Sequence, residues 1–117
     1  MFINLTNHPT SKWDEKQLNA AMQLSGDGRI IDISFPDIDP EWDESKIDEL
    51  AKEYCQKVLS FDVDVVHLMG EFTFVYRLIN LLKQKNIKIV ASTTKRESVE
   101  KDGVKTSIFK FVKFREY

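Results

Sequence analysis

The sequence predicts an α/β fold, a small Rossmann-like three-layer sandwich with a mainly parallel sheet and a C-terminal β-hairpin. Three observations carry this. Between Val63 and Arg96 lie two short strands, Val65 to Leu68 and Ile87 to Ala91, that are β-branched and apolar on both faces, with room for a helix between them. Such a pair is parallel, buried in mid-sheet and joined by a right-handed crossover. Upstream, two more strand-then-helix alternations continue the pattern. After Arg96 the helical alternation stops, and Lys101-Asp102-Gly103 marks a tight turn inside a strand-like run.

Taken in order, Met1 to Asn7 is the first strand, with Phe2, Ile3 and Leu5 as its apolar residues, and it ends at Asn7-His8-Pro9, where proline stops the ladder. Thr10 or Ser11 then caps a helix through Trp13, Leu18, Ala21, Met22 and Leu24, with Asp14 and Glu15 opposing its dipole and Gly26 and Gly28 ending it. Arg29 to Phe35 is the second strand, closed by Pro36. An acidic connection, Asp37 to Glu44, leads into a helix from Ser45 to Leu59, whose Ile47, Leu50, Ala51, Tyr54, Val58 and Leu59 form one packing face. The helix after Gly70 is apolar nearly all round up to Lys83 and requires cover on more than one side, from neighbouring helices or a second subunit. Residues 97–117 form the hairpin, whose second arm, Val104 to Arg115, is too apolar on both faces to meet water alone. A sheet order of 2-1-3-4 brings the ends of strands one, three and four together.

With 117 residues the chain is expected to be one domain. Hydrophobic residues at 42% and charged ones at 31% are ordinary for a globular protein and exclude long disorder. No apolar run reaches membrane-spanning length, because Arg77, Asn80 and Lys83 interrupt the best candidate. Met1 to Asn7 has no basic flank of the signal-peptide kind, and the expected location is the cytoplasm. Cys55, the single cysteine, rules out an internal disulfide and reads as a small buried apolar side chain. The net charge of −2 is unevenly spread: Met1 to Tyr76 carries 6 Lys/Arg against 15 Asp/Glu, and Arg77 to Tyr117 carries 11 against 4. A basic C-terminal part beside an acidic remainder favours a small or local polyanion over duplex DNA.

Ligands of open parallel sheets bind beyond the carboxyl ends of the strands. Three loops are expected to meet there: Asn7 to Lys12, Met69 to Thr73 and Ser92 to Arg96. They offer amide, imidazole, hydroxyl, backbone N–H and cationic groups, which suit an anion. Each also has a plainer reading. Hydroxyls after a strand commonly cap the next element, and consecutive Lys95 and Arg96 point in different directions. Gly70-Glu71 belongs to neither GxGxxG nor GxxxxGK[ST], so dinucleotide and P-loop sites are disfavoured; Glu71 repels a phosphate unless it caps its own helix or holds a sugar hydroxyl. His8 lies in a strand-end loop, whereas His67, inside an apolar strand, reads as a core residue with a satisfied hydrogen bond. Two histidines on separate elements argue against zinc, the acidic pair Asp37 and Asp39 reads as a solvated loop, and no metal or cofactor is expected. Trp13, Trp42 and Phe35 stack on a base or serve as packing staples.

The opening Asn4-Leu-Thr-Asn-His-Pro-Thr-Ser-Lys-Trp, the run His67-Leu-Met-Gly-Glu-Phe-Thr-Phe-Val-Tyr-Arg-Leu-Ile-Asn-Leu-Leu-Lys, the segment Val90-Ala-Ser-Thr-Thr-Lys-Arg-Glu and the ending Phe111-Val-Lys-Phe-Arg-Glu-Tyr together resemble small CRISPR-associated ancillary proteins with a CARF-like Rossmann fold. The match is to the stand-alone ring-nuclease group of type III systems. The resemblance implies a homodimer whose two sites cradle a cyclic oligoadenylate, cyclic tetra-adenylate being the expected ring, on a shared two-fold axis. It implies metal-independent cleavage by attack of a 2′-hydroxyl on the adjacent phosphate, leaving a 2′,3′-cyclic phosphate and switching off the defence signal. Carried onto this sequence, it implies His8 as general acid or base, Lys95 or Arg96 as stabiliser of the phosphorane, and Asn7, Ser11, Lys12, Gly70, Glu71, Thr73, Ser92, Thr93 and Thr94 as ligand-binding residues. A non-cleaving sponge or sensor is the alternative, and a structural subunit without nucleotide a further one.

Overall fold

The computed structural model describes residues 1–117. Its elements are β1 (Phe2–Leu5), a 3-10 turn (Thr10–Lys12), α1 (Glu15–Leu24), β2 (Ile30–Asp32), α2 (Glu44–Leu59), β3 (Val65–Leu68), α3 (Phe72–Gln84), β4 (Lys88–Lys101) and β5 (Val104–Glu116). The sheet runs β2-β1-β3-β4-β5, parallel up to β4 and antiparallel between β4 and β5. The strand order therefore agrees with the sequence expectation. α2 and α3 cover one face through Ile3, Leu5, Val66, Leu68 and Ile89. α1 covers the other through Phe2, Val65 and Val90, packed with Ala21, Trp13 and Phe114. Cys55 is buried on α2, and burial pushes its thiol up from the ordinary value. No helix is long and apolar enough to cross a membrane.

Several local expectations change. α1 begins at Glu15, not at Thr10 or Ser11, because Asp14 is its cap and accepts from the Gln17 N–H at 2.8 Å. Thr10 is otherwise engaged: its N–H and hydroxyl both donate to the Asp32 carboxylate at the end of β2, at 3.2 and 2.8 Å. β2 is shorter than expected. After Ile33, whose N–H still reaches the Asn4 carbonyl, the chain leaves the sheet and Phe35 packs edge-on to Phe74 on α3 at 5.3 Å. α3 buries Phe74, Val75, Leu78 and Leu82, yet Phe72 and Tyr76 are 88% and 66% exposed, so in the single chain its cover is one-sided.

The largest correction concerns Ser92 to Arg96. This segment is not a strand-end loop but the middle of β4, which runs unbroken for 14 residues. β5 supplies the reason, since it pairs along the whole arm from Val90↔Glu116 to Lys101↔Val104 and gives Ser92 to Arg96 a partner ladder. Asp102 (φ 55°) and Gly103 (φ 76°) close the arm as a two-residue turn with both φ positive. The ladder has one irregularity, at Thr93/Thr94: Thr93 opposes Lys113 while Thr94 opposes Phe111, leaving Val112 as the extra residue of a β-bulge.

That bulge sorts the arm. Strict alternation puts Phe111 and Phe114 on opposite faces. With Val112 bulged, Phe109, Phe111 and Phe114 share one face with Arg96, Thr94 and Ser92, their cross-strand partners. Lys95, Lys110, Lys113 and Arg115 share the other. The mixed pattern of the terminal strand thus resolves into an aromatic side, facing α1, and a cationic side.

Candidate functional site

The site is built on the polar interior of the α1 face. Asn4 on β1 is 1% exposed, and its Nδ2 donates to the His8 carbonyl and to Asp32 Oδ1, both at 2.8 Å. Two acceptors on the amide nitrogen fix which way the side chain faces. Its Oδ1 accordingly accepts, from the Thr6 hydroxyl at 3.0 Å and from His67 Nδ1 at 3.0 Å. The His67 proton therefore sits on Nδ1, and Nε2 carries a bare lone pair. That Nε2 is buried and has no partner. Phe2, Trp13 and Phe114 surround the imidazole at centroid distances of 6.3, 5.5 and 5.1 Å. Burial, with a smaller contribution from the His8 charge, pulls the pKa of His67 down to about 4, so the ring is neutral near pH 7.

Beside His67 opens a cavity of about 640 Å³, inside the range of small-molecule sites of roughly 300–1,000 Å³. β1 and its exit contribute Thr6, Asn7 and His8, the 3-10 turn and α1 contribute Lys12, Trp13, Asp14 and Gln17, β3 contributes His67 with Met69 and Gly70 after it, and the arm contributes Ser92, Thr94, Phe109 and Phe111. The loop that leaves β1 is tied down by hydrogen bonds. The His8 carbonyl accepts from Asn4 and, at 3.2 Å, from Trp13 Nε1, which also fixes the indole plane. Ser92 directs its N–H and hydroxyl to Met69 Sδ at 3.3 and 3.2 Å, joining β3 to the arm. The result is an aromatic wall, two basic side chains (His8 and Lys12), the Asp14 carboxylate that caps α1, several hydroxyl and amide groups, and one desolvated acceptor on His67. No group of three or more His, Cys, Asp or Glu side chains gathers where a metal ion could sit.

Of the residues singled out in the sequence, Asn7, His8, Lys12, Gly70, Ser92 and Thr94 border this cavity. Others do not. Glu71 caps α3, its carboxylate accepting from the Thr73 and Phe74 N–H groups at 3.0 and 2.9 Å, and the Thr73 hydroxyl also donates to it. The first turn of α3 is therefore closed by its own side chain, whose pKa these bonds lower against the opposing effect of burial. Thr93 donates to the Lys113 carbonyl at 3.1 Å on the cationic face of the arm, where Lys95 also stands. Arg96 lies on the aromatic face opposite Phe109, with its guanidinium turned to Ser107 Oγ at 2.9 and 3.1 Å. Ser11 is exposed on the 3-10 turn away from the lining. Gly70 also has a packing reason to be glycine, since a methyl there would run into the Phe35 ring.

Sequence reasoning missed His67, Phe109 and Phe111. His67 is buried as expected, but only Nδ1 is satisfied. Its signal was a histidine opposite an asparagine on the adjacent strand, legible only once the β1–β3 register Asn4↔His67 is known.

The model of one family, described as the uncharacterized protein MJ1673 family, matches residues 1–115. No curated protein and no solved structure matches the chain.

Proposed function

We propose that this chain, which belongs to the MJ1673 family, binds a cyclic oligoadenylate as a homodimer and opens the ring without a metal. The observation that carries the reading is the composition of the cavity, where the aromatic faces of Trp13, Phe109 and Phe111 stand beside His8 and Lys12. Stacking on such faces is worth about 1–3 kcal/mol per base, and a cation with backbone and hydroxyl donors suits the linking phosphate. Exposed Phe72 and Tyr76, one turn apart at the start of α3, support a second subunit that closes the site and shares a two-fold axis with the ring. In this reading the bound ribose directs its 2′-oxygen at the adjacent phosphorus. The P–O bond to the 5′-oxygen breaks, and a 2′,3′-cyclic phosphate remains. His8 moves the proton and Lys12 balances the charge of the phosphorane, the part the sequence resemblance gave to Lys95 or Arg96.

A second reading, retention of an intact ring, is favoured by one specific observation: Lys95 and Arg96 stand outside the cavity lining, which leaves His8 and Lys12 as its only basic groups besides neutral His67. One experiment separates the readings. Purified protein is incubated with cyclic tetra- and hexa-adenylate in EDTA, and bound and released species are resolved by chromatography with mass detection. Linear products ending in cyclic phosphate, lost in His8→Ala or Lys12→Ala, support the nuclease. Intact ring co-eluting with protein makes it a sponge or sensor, and ring left free in solution refutes both.

A further inference from the structure

The geometry points to His67 as the residue that reads the base: we propose that its Nε2 accepts a hydrogen bond from the 6-amino group of adenine, selecting adenine over purines that lack that donor. The proposal rests on the reading of the cavity as a nucleotide site. Its basis is a chain of hydrogen bonds with only one consistent proton arrangement. Asp32 and the His8 carbonyl orient the Asn4 amide, the Asn4 oxygen takes the proton of His67 Nδ1, and the lone pair of Nε2 remains. His67 is 2% exposed and borders the cavity, and Nε2 is the one buried side-chain polar atom of the protein without a partner.

A buried unpaired acceptor carries a desolvation penalty that a ligand donor removes. The rings of Phe2, Trp13 and Phe114 around the imidazole suit a donor carried by a flat group. An exocyclic amino group on a stacked base is such a donor. A 2′-hydroxyl is also a neutral donor, but it belongs to the sugar, which a base stacked on Trp13 and the arm phenylalanines holds at the polar His8–Lys12 side. The weak basicity that burial imposes on His67 suits an acceptor that recognises rather than a base that removes a proton.

The test uses the full chain and two kinds of readout. In the free protein, ¹⁵N NMR of the imidazoles at neutral pH is expected to show His67 Nε2 unprotonated; an Nε2–H tautomer overturns the proposal before any ligand is added. Calorimetric titration then compares cyclic tetra-adenylate and AMP with the same two ligands carrying purine in place of adenine, and with 2′-deoxy-AMP. Adenine is expected to bind about tenfold or more tightly than purine, and His67→Phe to abolish the difference; where that variant fails to fold, the wild-type series decides. Equal affinity for both bases overturns the role of His67 while leaving the ring reading intact. Preference for AMP with no binding of either ring has the opposite meaning: the ring reading falls and His67 stands. Loss with 2′-deoxy-AMP but not with purine reassigns the acceptor to the ribose and overturns base reading. Binding of neither ring nor mononucleotide overturns both.

Discussion

Acidification from pH 7 to pH 4 is expected to remove a defined part of the stability of this protein through His67 alone. The unfolded chain protonates this histidine near 6.5, whereas burial among aromatic rings holds the folded value at about 4. Between those limits unfolding takes up a proton, so the contribution of His67 is complete above pH 6.5 and is lost progressively toward pH 4. Each unit of that interval is worth about 1.36 kcal/mol, which makes the loss about 3 kcal/mol. With an unfolding entropy of roughly 2.1 cal/mol/K per residue, the melting temperature falls by about 12 °C. Down to pH 4.5 the window belongs to His67. Asp27, Asp43 and Asp64, all held below the ordinary 3.8, lose their contributions only below that value, and Glu71 only below 4.5. The Met1 ammonium, raised above 8.0 because Asp64 and Asp27 outweigh its burial, acts at alkaline pH. Urea unfolding of wild type and His67→Phe across this range checks the reasoning. The wild-type profile should fall and the variant profile remain nearly flat, since phenylalanine fills the ring volume and has nothing to protonate. Parallel profiles refute the account, as does an imidazole titration midpoint close to 6.5 in the folded protein by NMR.

Two single-residue deletions in β5 form a matched pair that tests the bulge. Removing Val112 leaves a regular ladder with Phe111 still opposite Thr94, and thermal melting is expected to change little; removing Lys110 also leaves a regular ladder, but one with Phe111 opposite Lys95 on the cationic face, which gives up roughly 1.5–3 kcal/mol of burial. Equal melting temperatures for the two deletions contradict the facing assigned to the arm. Gly70→Ala is expected to destabilise by roughly 1–3 kcal/mol by forcing the Phe35 ring aside, and Phe35→Leu in the same chain to recover part of that loss. If the glycine is instead kept only for ligand approach, Gly70→Ala melts like wild type.

Much of the fold was legible because it is written in local periodicity and turn chemistry. The β-branched pair Val65-Val66, the helical spacing of Ile47, Ala51, Tyr54 and Val58, and Asp102-Gly103 at the hairpin turn each act over a few residues, and the topology follows from the handedness of crossovers. Asn7, His8, Lys12 and Gly70 border the cavity for the same reason, since strand ends in a parallel sheet share one edge, whereas Ser92 and Thr94 border it from within β4. Ser92 to Arg96 was misread because Thr93 and Thr94 suit a strand as well as a loop, and only pairing with residues about 20 positions later decides between them.

By itself, then, the sequence determined the order of elements, the parallel core and the edge at which a ligand can sit, since hydrophobic pattern and turn residues specify these without reference to distant parts of the chain. Only the tertiary structure decided the chemistry of that edge. Asp32, Asn4 and His67 come from three strands, and the proton position on His67 exists only when all three are in register. One bulged residue, Val112, determines whether three phenylalanines share a face. A side-chain period of two makes every facing depend on a count along the ladder, and that count is set by strand pairing rather than by any local run of residues.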